Sequence, residues 1–378
     1  MARPATGANV VAPTGEPKAH LTITIKRGAS DGRLQWSIES DLDGVGLPGD
    51  EPITFSIGNE PARFAKDLIL RVADRDGSQG IARRIRGIGQ EIADVIPPEV
   101  MTEIRRANDM VKDRLQILIL TDEPFVPWEL ALLDPPFDER LPAHLGAQAI
   151  VGRWVIRNNV SPYPRRAITA SAMAVVWGRY QEFERLREAE DEGKTLETRY
   201  RAARVNARFR PVTNLLDGNP MAQILHFAVH GSYNPQDTDE EGIHLVTDEI
   251  VGPPDIEAGK LKATAPFVFL NACQLGSSET YLDSYSGTAP AFLRAGASAV
   301  IAPLWSVNDR IAHDISLRFY RRALAKGGAP LVGELIREIR AEIGKHPRSA
   351  TYLAYQFYGH PSLRLSWTPP AAGGTIDG

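Results

Sequence analysis

The sequence predicts an α/β fold, a mostly parallel sheet between helix layers preceded by an α+β segment, and three observations carry that prediction. Short apolar runs alternate with longer stretches of helical periodicity from about residue 114 to residue 344, the order that builds βαβ units. Several of those runs, such as "RLQILILTD" and "ASAMAVVWG", are apolar at consecutive positions, as in strands covered on both faces. The apolar share of 43% and the charged share of 24% suit an ordinary globular chain with a sizeable core. At 378 residues the chain holds one large or two unequal domains.

Taken in order, residues 1–18 are rich in Pro, Gly and Ala and read as a disordered tail. "HLTITIKRG" at 20–28 and "LQWSIES" at 34–40 alternate apolar with polar residues around "GASDG", which predicts a β-hairpin, and "PITFSIG" offers a third strand. From Pro61 the spacing becomes helical, with Phe64, Leu68 and Val72 on one face, then Ile81, Ile85, Ile88 and Ile92 before Pro97 and Pro98. Arg83, Arg84 and Arg86 on the second stretch read as the solvated face of an amphipathic helix rather than a phosphate site. This α+β region runs from 19 to 110.

"RLQILILTD" at 114–122 reads as a buried strand, and "FVPWELALL" at 125–133 as a helix begun at a proline. A strand at 170–178, a charged helix over 181–204 with Phe183, Leu186, Leu196 and Tyr200 inward, and a second strand at "ARFRPV" open the core. A short helix near 219–223, the strand "ILHFAVHG" at 224–231, a polar loop over 232–241 and a hairpin in "GIHLVTDEI" follow. After a helix near 255–261 come the strand in "APFVFLNACQLG", a helix in "GTAPAFLRAG", a strand in "SAVIAPLW", and amphipathic helices over 310–326 and 331–344. "AYQFYGHPSLRLSW" supplies one or two closing strands, and 368–378 reads as a loose tail.

Two strand ends hold the chemistry. "ILHFAVHG" delivers His230 and "FVFLNAC" delivers Cys273, and in an α/β sheet sites form beyond the carboxyl ends of parallel strands. Cys273 is the only cysteine, so it forms no internal disulfide and no multi-thiolate metal site; an inert buried thiol and a nucleophile are its two readings. Gly231, next to His230, lets the backbone approach a ligand closely. His226 shares a face with His230, but two histidines fall short of a catalytic zinc site unless one of Asp237, Asp239, Glu240 or Glu241 folds back.

"HFAVHG" followed about forty residues later by "FLNACQLG" and then "GTAPAFLRAGASAVIAPLWSVND" resembles the CHAT family of caspase-like cysteine peptidases, in the clan of caspases and separase. "PWEL" followed by "LGAQAIVGRWVIR" is similar to the leading part of such domains, which places the family domain over 111–367. The resemblance implies a caspase-like sheet, a dyad with His230 as base and Cys273 as nucleophile, and an oxyanion hole from the amides of Gly231 and Cys273. It also implies a specificity pocket drawing on Arg179 and on Trp305, Ser306 and Asp309. Arg179 favours an acidic substrate residue and Asp309 a basic one; Asp309 together with the run Asp237–Glu241 tilts the expectation to basic, although Asp309 also reads as a helix N-cap.

The expected function is a cysteine endopeptidase acting on a protein substrate in a bacterial signalling or defence pathway, without metal or cofactor. A regulatory protein partner is expected, with the segment before residue 110 gating activity or docking that partner. The competing reading is a catalytically silent scaffold. No P-loop or H-E-x-x-H occurs in the chain. A net charge of −4 gives no general attraction to nucleic acid or anionic membrane. The N-terminus has no signal-like apolar region, no run reaches the ~20 apolar residues of a membrane span, and one cysteine suits a reducing compartment, so a cytoplasmic location is expected.

Overall fold

The computed structural model describes residues 18–30, 32–73, 76–112, 114–156, 163–181, 186–234, 237–273, 284–305 and 307–368. The expected tails, apart from residues 18 and 368, lie outside these, as do Phe183 and Ser306. In chain order, strands β1 (Leu21–Arg27), β2 (Arg33–Glu39) and β3 (Ile53–Ser56) precede helices α1 (Pro61–Ala73), α2 (Ile81–Asp94) and α3 (Pro98–Val111). Then come β4 (Gln116–Thr121), α4 (Leu145–Gln148), β5 (Ile150–Val155), β6 (Ala167–Ala170), β7 (Met173–Trp177), α5 (Arg187–Tyr200), β8 (Ala203–Asn206) and α6 (Phe209–Leu216). The site region holds β9 (Ile224–Asn234), β10 (Asp237–His244), β11 (Ile250–Val251), α7 (Pro253–Glu257), β12 (Phe267–Cys273), α8 (Ser284–Ala295) and β13 (Ala299–Pro303). Helices α9 (Asp309–Ala323), α10 (Val332–Ala341) and α11 (Thr351–Ala354) and strands β14 (Tyr355–Tyr358) and β15 (Arg364–Trp367) complete the chain.

One large sheet runs β11-β10-β9-β12-β13-β14-β5-β4-β1-β2-β3, with β7 on β9 and β8 on β7. Its centre is parallel: β7 on β9, β9 on β12 and β12 on β13 all run the same way. Alternate residues of the central strands feed two apolar layers. Phe267 and Phe269 pack with Phe319 and Tyr320 of α9, whereas Val268 and Leu270 join Phe292 of α8 and Val212 of α6. Burial on both faces explains why these strands read as continuous apolar runs. The α+β segment adds to the same sheet, since β1 lies parallel to β4 from Leu21↔Ile117 to Ile25↔Thr121, and Trp36 meets Trp128 edge-on at 4.9 Å.

Several local expectations are corrected. "ARFRPV" is not a strand: "ARVN" just before it forms β8, and Phe209 begins α6, whose Val212, Leu215 and Leu216 are buried at helical spacing. Pro211 sits in that helix's first turn, where a missing N–H costs little. No helix covers 219–223. Residues 232–234 and 237–241 are strand rather than loop, because β9 runs to Asn234 and pairs antiparallel with β10; ladder bonds use main-chain groups, so a polar sequence does not prevent pairing. The charged helix ends at Tyr200, where Arg201 turns left-handed. A helix missed in the sequence, α3, opens at Pro98, a proline placed at N1 rather than acting as a stop. The helix expected in "FVPWELALL" is a single 3₁₀ turn, Trp128–Leu130, and β15 pairs with β6 in a separate small sheet rather than closing the main one.

The "PWEL" turn is a buried anchor. Glu129 lies 2.7 Å from Arg153 of β5, and Arg153 also donates to the carbonyls of Pro124 (2.9 Å) and Val126 (2.7 Å). Both side chains are almost wholly buried, so each charge needs the other. Arg340 of α10 donates to the Tyr355 carbonyl at 3.0 Å, and burial holds its guanidinium down at about 10.

Candidate active site

Strands β9 and β12 place the two principal residues. Their parallel register runs without a break from Phe267↔Ile224 to Cys273↔His230, so the thiol residue and the histidine are direct neighbours at the carboxyl ends of the two central strands. Adjacent strands lie about 4.8 Å apart. Gly231 follows in β9, opposite Ile243 of β10. His230 is 8% exposed, just reachable from solvent.

Tyr180, three residues beyond β7, holds His230. The His230 N–H donates to the Tyr180 hydroxyl at 3.2 Å, that hydroxyl donates to the His244 carbonyl at 2.7 Å, and the two rings meet at 82° with centroids 4.3 Å apart.

Beneath the strand ends lies a buried polar network. Glu192 of α5 is 1% exposed and its two carboxylate oxygens accept from Asn271 Nδ2 at 3.0 and 2.9 Å. Asn271 Oδ1 accepts from the Tyr355 hydroxyl at 2.6 Å. His226, fully buried, places Nε2 2.8 Å from Glu192 and Nδ1 3.1 Å from the Tyr320 hydroxyl. Burial first, and the nearby Glu192 charge second, keep Tyr320 protonated far above the usual phenol range. The Tyr320 proton then suits His226 Nδ1, leaving Nε2–H toward the carboxylate. Helix α5 comes this close because Gly193 lies against the Trp177 indole, where a Cβ would collide.

The other expected site residues are spread more widely. Arg179 is exposed, one residue before Tyr180. Trp305 is fully buried in the larger apolar layer. Asp309 is half-buried at the first position of α9. The N-cap is not Asp309 but Asn308, whose Oδ1 accepts from the Ile311 N–H at 3.1 Å. Asp237 through Glu241 lie on β10. Among the described residues no group of three or more His, Cys, Asp or Glu side chains is arranged around a common point for a metal ion; His226, the potential second histidine, is engaged by Glu192 and Tyr320 instead. Arg83, Arg84 and Arg86 are exposed on α2.

Sequence reasoning missed Tyr180 and Glu192. Glu192 carried a signal, since it shares the buried stripe of Ala189, Gly193, Leu196 and Tyr200 on α5, and a carboxylate there needs a partner inside. Tyr180 carried none, because its two partners are distant in sequence.

The CHAT domain family model matches residues 93–352, and the chain belongs to that family. Among solved structures, the Saccharomyces cerevisiae separase–securin complex is similar at a TM-score of 0.56 and 10% identity, over 92% of this chain and 30% of the separase chain. The complex of Porphyromonas gingivalis RgpB pro- and mature domains is similar at a TM-score of 0.50 and 13% identity, over 80% of this chain and 78% of that one. These likenesses show a shared caspase-like α/β fold. No curated protein sequence matches the chain. No described helix is long and apolar enough to cross a membrane.

Proposed function

We propose that the chain is a cysteine endopeptidase in which Cys273 is the nucleophile and His230 the general base. The observation that carries this reading is the register Cys273↔His230 at the carboxyl ends of two central parallel strands. Register partners in a parallel pair stand side by side across the ladder, the backbone placement that a Cys-His dyad requires. His230 takes the thiol proton, and the thiolate sulfur attacks a peptide carbonyl. The amides of Gly231 and Cys273 receive the oxyanion. His230 then protonates the departing amine, and water, deprotonated by the same imidazole, hydrolyses the thioester and restores the thiol.

Substrate selection falls to Arg179, Trp305, Ser306 and Asp309. Asp309 and the acidic run on β10 favour a basic residue before the cut. The substrate is a protein in a cytoplasmic signalling or defence pathway, and the segment before residue 110 meets a regulatory protein partner. A thiol-directed peptide probe tests the core of this: it labels Cys273 in the wild type and fails to label His230→Ala. Equal labelling of the two would refute the dyad.

A further inference from the structure

We propose that Tyr180 is a positioning residue for His230, acting through a hydroxyl joined to the β9–β10 ladder and a ring set against the imidazole. The inference takes the role of His230 from the peptidase reading, but the geometry stands without it. His230 and His244 are opposed in the antiparallel ladder, and the Tyr180 hydroxyl accepts from the N–H of one and donates to the carbonyl of the other. A side chain from a third segment thus links the two residues of one ladder pair. With its proton and a lone pair both committed, the hydroxyl has its orientation fixed by its partners.

The ring is the second hold. It stands nearly perpendicular to the imidazole, with centroids 4.3 Å apart, the edge-to-face arrangement that aromatic pairs favour. A base that must face a thiol in one step and a leaving amine in the next needs its side-chain angles kept through turnover, and a buried ring against it removes the rotamers that would enter the same space. Tyr180 itself is 7% exposed, so its place is set by packing. It also follows directly on the exposed Arg179, which the proposed function gives to substrate selection.

The single cysteine makes the test direct, because an alkylating reagent has one thiol to find. The rate of iodoacetamide alkylation is followed against pH in the wild type, Tyr180→Phe and Tyr180→Leu, each checked for folding by circular dichroism. Tyr180→Phe keeps the ring and loses the hydroxyl; Tyr180→Leu loses both. A histidine held beside the thiol keeps a thiolate below the ordinary thiol range, so loss of that hold slows alkylation at pH 6 by about tenfold in Tyr180→Leu, one unit of displacement. Tyr180→Phe falls between. Where the wild-type midpoint lies below that of a free thiol, folded variants that keep the same midpoint would overturn the proposal.

If the wild type reacts like a free thiol and His230→Gln changes nothing, the dyad reading fails. The ring-nitrogen NMR titration of His230 then decides the present inference alone. A shifted titration in Tyr180→Leu upholds it, and an unchanged one overturns it.

Discussion

Cys273 and His230 were legible in the sequence because each ends an apolar run in a small or polar residue, a pattern that a buried strand imposes on its own. Their pairing was legible only through the motif, since no rule of composition says that strands forty residues apart are neighbours. Tyr180 was not legible at all. Glu123 is another residue whose behaviour depends on the fold. It is fully buried, its carboxylate accepts from the N–H groups of Phe125 (2.7 Å) and Val126 (3.1 Å), and burial, opposed by Arg153, pushes it up from 4.5 to about 7. A carboxyl raised in the folded state binds its proton more tightly there than in the unfolded chain, so its contribution is present below about pH 4.5 and is lost as pH rises through 7. Thermal melts of Glu123→Gln, whose amide oxygen still accepts both N–H groups, are expected to lack this fall. The fall itself amounts to about 3 kcal/mol at most. A wild-type stability that is flat or rising over that interval, relative to the variant, would contradict the assignment.

Among elements, helix α5 shows what periodicity can and cannot give. Its apolar stripe placed Leu196 and Tyr200 inward, as observed, yet the stripe also carries Glu192, whose place there signals a buried carboxylate without naming its partners. Asn271, on the strand that ends in Cys273, gave no sign of its partner Glu192. Glu192→Gln turns one acceptor oxygen into an N–H₂ group facing the Asn271 donor, and this is expected to cost about 1–3 kcal/mol in urea denaturation. A smaller marker is the cap of α9: Asn308→Ala removes the side-chain acceptor of the Ile311 N–H and is expected to cost about 1 kcal/mol. Asp309→Ala leaves that cap in place, so a comparable loss there would contradict the capping assignment. The elements misread in the sequence share a cause. In "ARFRPV" and in the polar run of β10, side-chain polarity was taken for backbone state, whereas a first-turn proline and a two-stranded ladder accommodate those residues.

At the scale of the whole molecule, the alternating order of apolar runs and helical stretches was enough to foresee a parallel α/β sheet, because such an order leaves few other ways to bury both. That β1–β3 extend the same sheet was not foreseeable, since a hairpin's edge partner is not written in its sequence. The consequence is testable. A chain lacking residues 1–111 would strip β1 from β4 and Trp36 from Trp128, exposing an apolar strand edge, and is expected to be insoluble or to unfold without a cooperative transition. A truncated chain that melts like the full one would contradict this. The central claim is that the neighbouring strand ends form a working Cys-His dyad, and peptide-library cleavage by the wild type and by folded Cys273→Ala and His230→Ala proteins tests it most directly. The expected result is cleavage by the wild type alone, with both single variants at background because the two groups act as a unit; substantial cleavage by folded Cys273→Ala would contradict it.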